Sequence, residues 1–477
     1  MSSLNSLLQR AKQAPLWLIL LVSLAAYSLF PLWFPLLGRY STYPLSDIRT
    51  FTPSLGSGLG YALLLGALFI FYELAVRRAQ ERALRPLPIL LITLIFCLPL
   101  LFTYPINATD IYRYFIRGRI SSVYGDSPFS TPPNTFSDDP YLSLAGEWAG
   151  ETSPYGPLWE TAAAVITYLA PNNLLAGLLL FKALGLILHL AVGVLLYLWQ
   201  KAPPATPDAP HPTPDAFLWW LWNPALLLTF VVDAHNDVMM LFWLVWGAWL
   251  LRNGRSTIGF LMMVMAPLTK PIALLALPFF WLDAWRQQPR SAMWRFLLGT
   301  IGGTLALVWL TFLPFGSPVE LAMRLWHEAA DIGGFSPVIL VILIASSLGL
   351  PVPNAAITNL ALVLFASVTL WLVWRLWRGG SPLRATANIY LAYILTASSF
   401  RIWYTAWAFP WLLLDTPQRQ RLGKTFLLTA QFSVLIYGHL RVYVLGGQHL
   451  LAHLIGVPLT FALPFFVAYR RAQSTNR

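Results

Sequence analysis

Cysteine is almost missing from this chain. The one residue of that type, Cys97, lies inside the apolar run 87–104, which excludes an intrachain disulfide framework, a cysteine-rich zinc site and a CxxC redox motif, and leaves the redox compartment unreadable. Charge is scarce as well. Asp, Glu, Lys and Arg make up 10% of the 477 residues, less than half of the roughly one quarter usual in soluble domains. No GxGxxG, Walker loop or HExxH occurs, so the commonest phosphate-cradling and helical zinc motifs are absent. No clear internal repeat is present either, which weighs against transporters built from inverted halves.

What is there is apolar. Hydrophobic residues make up 57% of the chain and the mean hydropathy is +0.62, more than any soluble core can hide. The composition predicts an all-α, polytopic transmembrane helix bundle with a large outer loop carrying interfacial helices. Lys and Arg outnumber Asp and Glu by 31 to 19, but in small clusters between apolar runs. That pattern fixes orientation in a lipid bilayer and does not point to nucleic acid. The stretch 15–37, preceded by Arg10 and Lys12, is long enough to span and lacks a small-residue cleavage site, so it reads as a retained anchor.

Further spans are expected near 58–76, 87–104, 174–199, 217–232, 237–251, 296–315, 356–377, 425–444 and 450–469. Two more pairs are broken, 258–269 with 271–282 at Lys270-Pro271, and 387–400 with 402–414 at Arg401. Runs 157–170 and 336–350 are ambiguous. Laid along the outer surface, they leave every strongly basic short loop on one side: Arg77 to Arg85, Arg252 and Arg255, Arg286 to Arg295, Arg375 to Arg384, Arg419 to Lys424, and Arg470, Arg471 and Arg477. The expectation is therefore about fourteen crossings with both ends cytoplasmic. It divides the chain into N-terminal helices 1–86, a central module 87–415 with an outer loop 105–170, and C-terminal helices 416–477.

The same orientation gathers carboxylates outside, among them Asp47, Asp110, Asp139, Glu151, Asp233, Asp237, Glu320 and Asp331. The outer loop 105–156 carries Tyr112, Tyr114, Phe115, Tyr124, Phe129, Tyr141, Trp148 and Tyr155, too aromatic for a solvating linker. Its first part, 109–120, has the pattern of an amphipathic interfacial helix, with Arg113 and Arg117 on a face away from Ile111 and Phe115. The Pro-rich stretch 201–215 reads as a cytoplasmic linker without chemistry.

Several motifs then coincide in order: Asp110 at the head of the outer loop, SPYGPLW at 153–159, WNP…AHND over 222–237, LTKP at 268–271 and the WYTAW…P run at 403–410. Across roughly residues 85–415 the chain resembles the GT-C superfamily of integral membrane glycosyltransferases. It looks closest to bacterial polyprenol-phosphate-mannose-dependent α-mannosyltransferases. One departure is visible, since two extra spans, 15–37 and 58–76, precede the loop. The resemblance implies that Asp110 is the general base, that a polyprenyl-phosphate sugar is the donor, and that the reaction takes place at the non-cytoplasmic face of the plasma membrane.

The residues themselves carry alternatives. Asp110 has the pattern of a helix N-cap. Lys270 and Arg401 interrupt apolar halves without an acidic neighbour in sequence. They suit the phosphate of the lipid donor, or else snorkel to phospholipid head groups. Arg113 and Arg117 are further candidates for the phosphate, or for resting on the membrane surface. His235, Asn236, Asp237, Tyr155, Trp403 and Tyr404 are candidates for the acceptor or the sugar, against an aromatic interface belt as the plain reading of the last two. No cofactor is required by the sequence, but Asp233 and Asp237 are competent ligands for a divalent cation. His439, Arg441, His449 and His453 flank the last outer turn, where packing at the interface explains them. The expected function is inverting transfer of a hexose, mannose before others, from a polyprenyl-phosphate donor to a glycan or glycolipid acceptor. A transporter or flippase of a lipid-linked glycan is the alternative.

Overall fold

The computed structural model of the chain describes residues 14–201, 215–328 and 334–470, with side chains except at 326–328. Arg10, Lys12, Asp331, Arg471, Arg477 and all but the ends of the linker 201–215 lie outside the described residues.

The apolar runs become helices because only a helix satisfies its own backbone polar groups within one segment. Proline, plentiful here, opens several of them: Pro86, Pro157, Pro337, Pro382 and Pro417 stand at first helical positions, where the missing N–H has no intrahelical partner anyway. The described residues are all-helical, and the isolated bridge between Pro35 and Thr103 joins two chain turns.

Among the described residues, six helices are long and apolar enough to cross a membrane: Leu16–Trp33, Leu55–Glu81, Leu174–Lys201, Arg290–Phe312, Asn354–Trp377 and His449–Arg470. The pair Pro224–Val232 and Asp237–Arg252 passes the same test jointly and is bent by 115°. The other stretches read as crossings hold helices that are shorter or less apolar, including Pro86–Leu101, Ser256–Val264, Leu277–Arg286, Pro382–Thr396, Thr405–Leu413 and Pro417–Leu435. Trp294, Leu298, Leu305 and Trp309 on one long helix, and Leu360, Val363 and Leu370 on another, are exposed, as expected of faces that meet hydrocarbon. Trp220, Trp222, Trp407 and Trp411 are fully buried at the centre.

Polar contacts gather at two ends. Leu55–Glu81 has 27 residues and so is about 40 Å long. Near its start, the Thr52 hydroxyl meets His439 Nε2 at 2.7 Å. Towards its end, Glu73 pairs with Lys424 at 3.1 Å.

The outer loop departs from expectation at its first helix. Asp110–Ser122 does not rest on a membrane surface; every residue from Asp110 to Ile120 is buried except Arg113, which is half-buried. Pro157–Leu169 packs across it so closely that a Cβ on Gly118 would strike the Ala163 carbonyl, and Ser122 and Thr167 share a hydrogen bond of 2.8 Å. Folding is possible because the loop supplies partners for the arginines. Arg119 pairs with buried Asp139 at 2.8 Å and lies 4.9 Å from the Tyr141 ring centroid. A pattern that counts every arginine as water-facing misses this.

Candidate active site

Several candidate residues sit where a helix begins or breaks. Asp110 is the first residue of its helix. His235 and Asn236 occupy the sharp turn between the π-helical end Leu228–Val232 and Asp237–Arg252. Lys270 is extended, as a residue before proline must tend to be, and leads into the turn Pro271–Leu275. Arg401 is extended likewise before the turn Ile402–Tyr404. Irregular backbone at such depth is tolerated where protein or a polar cavity surrounds it.

Two sequence motifs meet directly. The Gly156 N–H donates to the Thr269 carbonyl at 2.9 Å and the Leu158 N–H to the Leu268 carbonyl at 2.8 Å, so SPYGP docks on LTKP. A Cβ on Gly156 would collide with the Leu268 carbonyl; glycine is needed for the approach.

Around that junction the charges converge. Arg113 Nη1 donates to Asp110 Oδ1 at 2.7 Å. Among the described residues no hydrogen bond reaches Asp110 Oδ2, and His235 Nδ1 lies 3.9 Å from it. His235 Nδ1 is also 3.7 Å from Asp237 Oδ2, too long for a hydrogen bond in either direction. The His235 ring stacks on Trp403 with centroids 4.0 Å apart. Lys270 Nζ donates to both oxygens of Asp237 at 2.9 Å and approaches Asn236 Oδ1 at 3.4 Å. Trp407 Nε1 also donates to Asp237, while Tyr404 stacks on Trp407 at 4.1 Å. Two polar atoms in this cluster, His235 Nε2 and Asn236 Nδ2, are buried without a partner among the described residues.

The Asp110 carboxyl is held below the ordinary carboxylate range. Burial alone would push it up, but Arg113, then His235, Lys270 and Arg401, together outweigh that. It is an ionised carboxylate at neutral pH with one oxygen engaged and the other open.

Three expectations change. Lys270 is not an unneutralised cation, because Asp237, 33 residues away in sequence, folds against it. The side chain of Asp110 does not cap the backbone; it accepts from Arg113. Asp233 does not fit a metal site, for both its oxygens are taken by donors: Oδ1 by the backbone N–H of Ile106 at 2.8 Å and of Asn107 at 3.3 Å, and Oδ2 by the Asn107 amide at 3.0 Å. With Asp237 held by Lys270 and Trp407, the donor set for a divalent cation is not assembled, and no group of three or more His, Cys, Asp or Glu is placed to hold a metal among the described residues.

The remaining candidates fall around this centre. Arg401 is exposed and no carboxylate lies in ion-pair range of it among the described residues. Arg117 is buried, with Nη2 directed at the carbonyls of Glu151 and Thr152 at 3.4 and 3.3 Å and its guanidinium 5.8 Å from the Tyr155 ring. Tyr155 also faces Lys270, 5.9 Å from ring to ammonium. Trp407 was legible only as part of an aromatic run; its four-residue spacing from Trp403 is the signal that puts both near one helix face. Trp148, 4.5 Å from the Arg113 guanidinium, had no signal beyond its place in the loop.

A buried carboxylate at the head of a large loop, met by broken helices of an apolar bundle, is the arrangement expected of the GT-C type. The chain belongs to the alpha-(1->6)-mannopyranosyltransferase family: the model of that family's N-terminal domain matches residues 18–286. It is similar to alpha-(1->6)-mannopyranosyltransferase A of Mycobacterium tuberculosis, 29% identical over 41% of this chain and 37% of that protein. The corresponding protein A of Corynebacterium glutamicum is 26% identical over 38% of this chain and 36% of its own length. Protein B of the same organism is 26% identical over 34% and 26%. The matched stretches thus span between about a quarter and little more than a third of these curated relatives.

Proposed function

We propose that this chain is an inverting mannosyltransferase that moves mannose from a polyprenyl-phosphate donor to a hydroxyl of a glycan or glycolipid at the non-cytoplasmic face of the plasma membrane. The observation that carries the reading is the state of Asp110: ionised, buried, with Oδ1 fixed by Arg113 and Oδ2 open towards His235. In the transfer, Oδ2 takes the proton of the acceptor hydroxyl as that oxygen forms its bond to the anomeric carbon. The bond from the anomeric carbon to the phosphate oxygen breaks, and the electron pair leaves with the lipid phosphate. Because the departing phosphate gains negative charge, a cation rather than an acid is required there. Arg401, exposed and within electrostatic reach of Asp110, suits that task, as does Lys270.

His235 Nε2 and Asn236 Nδ2, buried and unpartnered, suit sugar hydroxyls, since an orphan polar atom in such a place is costly until a ligand meets it. Trp403, Tyr404 and Tyr155 supply faces for pyranose rings. Arg113 and Arg117 hold the loop in place. The placing of Asp110, His235, Lys270 and Arg401 at helix starts and breaks supports a bundle of about fourteen crossings in which short helices pair across breaks.

Incubation of the purified full chain with polyprenyl-phosphate mannose and a mannose-bearing acceptor, followed by mass spectrometry, tests the reading. The expected product is the acceptor extended by one hexose, with free polyprenyl phosphate. Movement of intact donor across proteoliposomes without sugar transfer would replace the reading by a flippase.

A further inference from the structure

Lys182 lies well inside the apolar helix Leu174–Lys201 and is fully buried. An ionisable group at such a position is expensive and calls for a task. Its ammonium donates to the carbonyls of Thr103 at 2.9 Å, Val231 at 3.4 Å and Val232, and it shares an electrostatic contact with Asp233. The Thr103 carbonyl lies just past Pro86–Leu101, and those of Val231 and Val232 at the end of the π-helical turn. Ends of this kind leave carbonyls without intrahelical donors, and one ammonium serves three of them. Asp233 continues the network by binding Ile106 and Asn107 through three N–H donors.

The network therefore joins two segments that converge on the site. One is 103–107, which ends three residues before Asp110. The other is 231–233, which ends two residues before His235. Between Asp233 and His235 stands Ala234, a non-glycine residue with φ of +53°, a conformation that costs about 1 kcal/mol or more unless its surroundings hold it. Gly185, one helical turn after Lys182, admits the Phe230 carbonyl where a Cβ would strike it, so the Lys182 helix and the turn are in backbone contact.

From this we infer that Lys182 and Asp233 are positioning residues for the transfer reaction. Their buried pair sets the placement of Asp110 relative to the His235, Asn236 and Asp237 turn. The inference rests on the reading of Asp110 as the base. Apolar side chains of similar volume would often be no less stable here than buried ionisable ones. What they cannot do is bind three carbonyls and three N–H groups from two chain segments at once, and that is the register a base needs against its acceptor.

The test compares Asn107→Ala, Asp233→Asn, Lys182→Met and the double variant Lys182→Met/Asp233→Asn, with Asp110→Asn as reference, in the purified full chain with polyprenyl-phosphate mannose. Misplacement by about an ångström costs on the order of 10²-fold in rate. Loss of one strand of the network, in Asn107→Ala or Asp233→Asn, is expected to lower kcat about tenfold while KM for the donor stays within about twofold. Lys182→Met leaves three carbonyls of the two segments without their donor and should fall further; the double variant, which removes both ends of the network, should fall at least as far. Should the Lys182 variants fail to fold in a melting assay, Asn107→Ala decides alone, since Asn107 is half-buried in the loop and its backbone N–H is kept. Wild-type kcat in Asn107→Ala and Asp233→Asn beside an inactive Asp110→Asn overturns the inference and leaves the base intact. Normal turnover in Asp110→Asn overturns the base, and this inference with it.

Discussion

Asp110 is ionised because the cations around it, Arg113 first among them, outweigh its burial. Asp110→Asn keeps the shape and an oxygen for Arg113 to bind, so folding and donor binding should persist. An amide cannot accept the acceptor's proton, and loss of general-base catalysis typically costs about 10²–10⁴-fold. Single-turnover kinetics with saturating donor would show this; near-normal turnover sinks the base assignment and makes Asp237 the next carboxylate to test. Arg113→Ala bears on pH. A depressed carboxyl keeps its base form as pH falls, until pH passes below its lowered value. The wild-type rate should therefore show no acid limb from Asp110 at the ordinary carboxylate position, about pH 4, or above. Without Arg113, the largest of the opposing influences on Asp110, less opposes burial and the acid limb of kcat should move to higher pH. A profile left where it was would mean that Arg113 does not tune this group. The two candidate phosphate cations should part company. Arg401 is exposed, so Arg401→Ala is expected to raise donor KM about tenfold, the scale of one charged hydrogen-bonded contact, with the melting temperature unchanged. Lys270→Ala leaves Asp237 buried without its cation, a loss of about 3–5 kcal/mol, and should lower the melting temperature as well as donor use. Equal stability in both would show that the Asp237 pair carries no structural weight.

The elements of the site were legible to different depths. Lys270 and Arg401 stood out because each splits an apolar run, and the structure puts both at breaks. The Asp237 partner of Lys270 was not legible, since pairing between residues 237 and 270 depends on how two bent helices fold back, and periodicity carries no such information. Lys182 was legible in principle, as a lysine within an apolar run, but a single charge in a long hydrophobic segment is easily absorbed into a span. The burial of the Asp110 helix was hidden because its arginines have partners supplied by the loop at Asp139, Glu151 and Thr152, beyond the reach of a helical-face pattern. The docking of SPYGP on LTKP gives the element scale its own prediction. Gly156→Ala drives a methyl group into the Leu268 carbonyl, and overpacking of this kind typically costs about 1–3 kcal/mol. It should lower the melting temperature and reduce kcat, because Lys270 follows two residues after Leu268. An Ala variant that melts and turns over like the wild type would show that this junction yields freely and positions nothing.

At the scale of the whole molecule, orientation is where charge and contact geometry can be set against each other. The basic loops were assigned to one side from their count alone. The folded chain independently joins Arg286 to the Leu376 carbonyl at 2.6 Å, and Arg384 and Arg419 to Asp415 at 2.9 and 2.8 Å. Those residues come from three of the supposed inner loops, so the loops meet one another as parts of one end must. Asp110, His235, Asp237, Lys270 and Trp403 meet in a separate cluster, which the same orientation puts outside. If both are correct, single cysteines at Ser137 in the outer loop and at Gln287 between Leu277–Arg286 and Arg290–Phe312, each exposed and placed in a Cys97→Ser background, face opposite aqueous phases. A membrane-impermeant maleimide added to intact cells or right-side-out vesicles should modify Ser137→Cys at once and Gln287→Cys only after the membrane is opened. Even one additional crossing between the two positions, by Pro157–Leu169 for instance, would bring both to the same side. Equal labelling of the two cysteines from outside would therefore reject the surface placement of that helix. Exclusive labelling of Gln287→Cys would invert the bundle and put the Asp110 cluster at the cytoplasmic face, where a soluble activated sugar would have to replace the lipid-linked donor.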